Sequence, residues 1–121
     1  MRRLLLTAIA CSALTYMVMV AQTPASSSKN NKSMKLENKR VRVSEVVYRP
    51  GVPRERHIRP TDQVIVFLDD CKYQRIDSKT GEKTVRERKS GETIWHDKGE
   101  DAPLLINLGS KPYRTLLIEL P

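Results

Sequence analysis

Two stretches of the chain carry side chains that could do chemistry. The first runs from Gly51 to Leu68, GVPRERHIRPTDQVIVFL, and places His57, Arg59, Asp62 and Gln63 just before an apolar run. The second runs from Gly91 to Asn107, GETIWHDKGEDAPLLIN, and places Trp95 and His96 before a second apolar run. His57 and His96 are the chain's two histidines. An imidazole titrates near neutrality, so His57 is a candidate general base or hydrogen-bond donor. Arg59 is a candidate clamp for a carboxylate or another anion, because a guanidinium presents parallel donors to a planar acceptor. Arg54 and Arg56 extend this into a basic run beside His57, with a solvated face balanced by Glu55 as the competing reading. Gln63 and Trp95 complete the expected ligand-binding set of His57, Arg59, Gln63 and Trp95. Asp62, His96 and Tyr113 are expected at the pocket or its rim, with Asp62 suited to capping a turn or to an ion pair with Arg59. No residue is assigned a catalytic role on these grounds.

The elements that must position these groups read as short strands. Residues 40–48 carry Val41 and Val43 in alternation with polar residues, the pattern of a strand with one wet face. Arg49-Pro50-Gly51 ends it, since proline lacks a ladder donor and glycine permits a turn. Val64–Leu68 is a β-branched and aromatic run of strand length. Residues 72–76 and 84–88 flank DSKTGEK, whose Thr80-Gly81 marks a hairpin. Further strands are expected at 92–96, 104–108 and 113–120, the last after the Gly109–Pro112 turn. No helical stripe of useful length occurs. About seven short strands joined by glycine and proline turns point to an all-β sandwich or barrel.

The spacing within the two stretches resembles the cupin superfamily, whose members are small jelly-roll barrels, double-stranded β-helices with a pocket inside. In that family the first motif has a glycine, two histidines separated by one residue, a carboxylate and a strand. The second has a glycine, a proline-x-glycine turn and a histidine shortly after it. The resemblance covers roughly residues 40–120, with Gly51, Gly91, Trp95 and Gly99 in the expected places. It puts His57 and Arg59 at the two histidine positions, Gln63 or, one residue earlier, Asp62 at the carboxylate, Asp97 at the turn proline and Ala102 at the last histidine. Arginine offers no lone pair and alanine no ligand atom, so the resemblance implies a metal site lost or rewritten. No metal and no cofactor is therefore expected.

Before the domain, Met1-Arg2-Arg3 precedes an uncharged run, Leu4 to Ala21. This is the pattern of an export signal, with cleavage expected after Ala21, or of an uncleaved N-terminal anchor. Cys11 after Ala8-Ile9-Ala10 offers a third alternative, a lipoprotein signal. Residues 22–39, rich in Ser, Asn and Lys, read as a flexible tether, leaving 40–121 as the barrel domain. The expected location is periplasmic or secreted, or membrane-anchored through residues 4–21 and facing outside the cytoplasm. Cys71 is the single cysteine of that domain, so no internal disulfide is expected.

The net charge of +8 favours anionic partners. The basic residues are scattered among acidic ones rather than clustered on one element, so no nucleic-acid partner is expected. Three functions fit. The first is an exported, metal-free small-ligand-binding domain, with an anion as the candidate ligand. The second is an oxygenase, isomerase or lyase with a rewritten site. The third is a structural protein that forms a homodimer through its sheet edges.

Overall fold

A computed structural model describes residues 29–121. The leader and the first part of the tether lie outside the described residues. From Asn31 onward the chain forms eleven strands. They are β1 (Asn31–Glu37), β2 (Arg42–Tyr48), β3 (Pro53–Arg54), β4 (His57–Ile58), β5 (Asp62–Phe67), β6 (Cys71–Ile76), β7 (Lys83–Arg88), β8 (Thr93–His96), β9 (Asp101–Ala102), β10 (Leu104–Asn107) and β11 (Tyr113–Leu120). A five-stranded sheet has the order β1-β2-β11-β5-β8, a four-stranded sheet the order β3-β10-β6-β7, and β4 pairs with β9. The expected all-β barrel is present, and the seven expected strands correspond to β2, β5, β6, β7, β8, β10 and β11.

The tether expected over 22–39 is corrected in its second half. Asn31–Glu37 pairs with β2 as an antiparallel edge strand, although every one of its residues is exposed. It is held by the ladder, by the ion pairs of Glu37 with Arg42 at 2.6 Å and Lys35 with Glu45 at 3.4 Å, and by Asn30, whose side chain accepts the Arg49 amide at 2.6 Å and donates to the Val52 carbonyl at 3.3 Å. Backbone pairing of this kind leaves no hydrophobic periodicity to read.

The two sheets close over an aromatic centre. Tyr48, Phe67 and Tyr113 from the first sheet meet Tyr73 and Leu105 from the second. Tyr113 stacks on Tyr48 with centroids 4.9 Å apart and on Tyr73 at 6.3 Å. Each such ring contributes about 2 kcal/mol through the water it sheds.

Strand alternation then orders the rest of the inner face. Along β11, Tyr113, Thr115, Leu117 and Glu119 share one face; Gln63, Ile65 and Phe67 do so on β5. The ladders align these into rows: Ser44, Leu117, Ile65 and Ile94, and beyond them Arg42, Glu119, Gln63 and His96. The interior is therefore aromatic at one end and polar at the other. The opposite face of the same sheet carries a row of Leu36, Val43, Ile118, Val64 and Trp95.

Candidate functional site

The polar end of the barrel opens into a cavity of about 330 Å³. It is lined by apolar Val46, Ile65 and Leu117 and by charged Arg54, Arg59 and Glu119, the last on the same face of β11 as Leu117. Asn31 and Lys32 of β1 also reach it. A narrower space of about 50 Å³ continues toward the aromatic centre, past Arg75, His96 and Arg88. Arg54 and Arg59 line both spaces and so lie between them.

Arg59 is fixed through its backbone before its side chain acts. Its amide donates to the Glu100 carbonyl at 2.9 Å, and its carbonyl accepts the Gly99 amide at 2.9 Å. Gly99 holds φ +89°, a conformation that glycine adopts without a Cβ penalty. Arg59 is 5 % exposed, and its guanidinium donates from Nη1 to Gln63 Oε1 at 3.1 Å. Arg54 donates from Nη2 to the Pro103 carbonyl. The Nε groups of both arginines are buried with no hydrogen-bond partner. Neither guanidinium is in an ion pair among the described residues. Burial pulls the Arg59 pKa below its ordinary value, and the positive charges of Arg54 and Arg75 add to that, against a smaller opposing pull from Glu100. The barrel thus holds two arginine charges that no ion pair among the described residues neutralises.

His96 faces inward from β8 and donates from Nδ1–H to Glu100 Oε2, 2.8 Å away. Burial lowers its pKa; the Glu100 hydrogen bond opposes this, and Arg59 and Arg75 reinforce it. Glu119 is 4 % exposed and lies opposite Gln63 in the ladder. Its Oε2 is 3.7 Å from Arg42 Nη1 but has no hydrogen-bond partner.

Of the residues expected at the site, Arg59 and Gln63 meet inside the barrel. His57 lies exposed at the rim of the wider cavity, with Nδ1 3.4 Å from the Glu55 carbonyl. His96 and Tyr113 line the narrower space, Tyr113 as part of the aromatic core. Burial pushes the Tyr113 hydroxyl far above its ordinary range. Trp95 is corrected: it is 51 % exposed on the outer face and donates from Nε1 to Asp97 Oδ1 at 2.8 Å. The reason is parity, since β8 places His96 beside the inward Gln63 and so turns Trp95 outward. Asp62 caps the turn by accepting the Lys98 amide at 2.8 Å and makes no ion pair with Arg59. The basic run divides: Arg54 and Arg59 point in, whereas Arg56 pairs outside with Asp101 at 2.6 Å. Sequence reasoning assigned nothing to Arg75 or Glu119, and gave no preference to Arg54. A charged residue on the parity of Tyr113 and Leu117 was the available signal for Glu119.

The donor set does not fit the divalent metal centre that the cupin fold commonly carries. His57 lies opposite Ala102 in the β4–β9 ladder, and Ala102 is fully buried with only a methyl group to offer. His96 is engaged by Glu100, and Arg59 is hydrogen-bonded to Gln63. No three His, Cys, Asp or Glu side chains converge among the described residues. A metal ion needs several such ligands to offset its dehydration.

No family model and no curated protein matches the sequence. Solved structures do match the fold. A cupin domain from Bordetella pertussis Tohama I superposes with a TM-score of 0.68 at 18 % identity, over 76 % of this chain and 93 % of that one. An uncharacterised protein with a double-stranded β-helix domain from Klebsiella pneumoniae gives 0.60 at 19 % identity, over 79 % and 80 %. A cupin family protein from Methanocaldococcus jannaschii gives 0.61 at 10 % identity, over 83 % and 87 %. The chain therefore has the cupin fold, the double-stranded β-helix that the spacing of its two motifs resembles.

Proposed function

We propose that this chain is an exported cupin-fold domain that binds a small organic anion in its barrel, in place of metal-dependent catalysis. The observation that carries the reading is the pair Arg54 and Arg59. Both line the cavity, both keep a buried Nε–H without a partner, and neither is ion-paired among the described residues. A buried charge without a counter-charge is costly, and a carboxylate that accepts both guanidinium groups relieves that cost. The apolar lining of Val46, Ile65 and Leu117 suits a short hydrocarbon body behind the anionic head. Export rests on the basic start and the uncharged run from Leu4 to Ala21.

The test is thermal unfolding with acetate, butyrate, benzoate and phosphate, for the parent chain and for Arg59→Gln. A ligand at a hundred times its Kd stabilises the folded state by about 2.7 kcal/mol. At least one carboxylate is expected to raise the melting temperature of the parent, and Arg59→Gln to remove most of that rise. Equal responses from both proteins would refute an interior anion site.

A further inference from the structure

The cavity also has an acceptor side that the anion reading leaves unused. Glu119 Oε2 is buried and, beyond the 3.7 Å ion pair with Arg42, has no hydrogen-bond partner; its side chain lines the same cavity as Arg54 and Arg59. Three buried side-chain polar atoms lack hydrogen-bond partners among the described residues, and they are the two arginine Nε groups and this oxygen. Buried polar groups in native proteins are almost always satisfied, so orphans sharing one cavity mark places where a ligand bonds. Gln63 sets the spacing between the two sides. It accepts the Arg59 Nη1 hydrogen on one side and lies across the β5–β11 ladder from Glu119 on the other. Directly opposed Cβ atoms in such a ladder are about 5 Å apart.

Resting on the anion-site reading, we propose that the ligand is a short hydroxy acid. Its carboxylate meets Arg54 and Arg59, its carbon chain passes over Gln63, and its hydroxyl donates to Glu119 Oε2. The hydroxyl is assigned over an ammonium group on charge. Glu119 already has Arg42 at 3.7 Å, and the cavity also contains Lys32. A neutral donor therefore satisfies the oxygen without adding positive charge beside the arginines.

Calorimetric titration of the full chain with butyrate, 2-, 3- and 4-hydroxybutyrate and 3-aminobutyrate tests this. One hydroxybutyrate is expected to bind about tenfold more tightly than butyrate, the gain for a hydrogen bond to a charged acceptor. Glu119→Leu is expected to bring that ratio near one. Glu119→Gln, which keeps the side chain's shape, is expected to shrink the ratio partway, and circular dichroism of both variants checks that they fold. Butyrate binding as tightly as every hydroxybutyrate, or a ratio unchanged in both Glu119 variants, overturns the hydroxy-acid assignment while the anion site stands. Stronger binding of 3-aminobutyrate overturns the choice of hydroxyl. Failure of all five compounds, together with no response to acetate, benzoate or phosphate, removes the anion site itself.

Discussion

Arg59 is where the chain departs most from a metal-binding barrel, and its neighbours follow from it. A permanent charge at the centre shapes every group nearby. The clearest case is His96, whose pKa lies below the ordinary 6.5 because of burial, with Arg59 and Arg75 adding to the shift against the opposing Glu100. With the folded-state value depressed, the folded chain binds fewer protons than the unfolded chain below that ordinary value. This part of the stability is therefore present above about pH 6.5 and is lost as the pH falls through the folded-state pKa. Nuclear magnetic resonance titration of the His96 ring should place its midpoint below 6.5 in the free protein and move it upward when a carboxylate binds. A midpoint at or above 6.5 in the free protein would mean that the Glu100 hydrogen bond outweighs burial and the nearby arginine charges. Arg59 and Gln63 were legible because they fall at recognisable spacings. Arg75 and Glu119 were not, since their meaning depends on which face of a strand turns inward, and one residue's shift in register reverses it.

At the scale of elements, the long apolar strands were readable from their β-branched runs and flanking turns. The two-residue strands β3, β4 and β9 are defined by their partners and carry no period of their own. β1 is the sharper case, because a sequence with the composition of a tether completes the sheet and brings Lys32 to the cavity. Its alternation is hidden because the strand is exposed on both faces. Asn107 illustrates the same limit at a turn. Its buried side chain donates to the carbonyls of Tyr48 at 3.0 Å and Lys111 at 2.9 Å, and accepts the Gly109 amide at 2.8 Å. It thereby ties β2, β10 and the turn before β11 into one end of the barrel. Asn107→Ala leaves these groups without that partner, and chemical denaturation should show a loss of about 1–3 kcal/mol. A loss well below that range would mean that the turn holds without the side chain.

At the scale of the whole molecule, the cupin fold was legible because its glycine and turn spacings survive. The chemistry was less legible because the residues at the ligand positions have changed character. His57 faces Ala102, Arg59 bonds Gln63, and the centre has become a cationic pocket with an apolar lining. The net charge of +8 favours the approach of anions, while the buried guanidinium groups determine where one binds. The most direct measurement is a pair of calorimetric titrations on the same protein, one with a short carboxylate and one with Mn²⁺ or Fe²⁺. The account predicts saturable carboxylate binding at one site per chain, weakened about tenfold or more in Arg59→Gln, the loss of a charge-assisted hydrogen bond. It also predicts no stoichiometric metal binding that depends on His57. Stoichiometric metal lost on His57→Ala, with carboxylate binding absent or indifferent to Arg59, would contradict it.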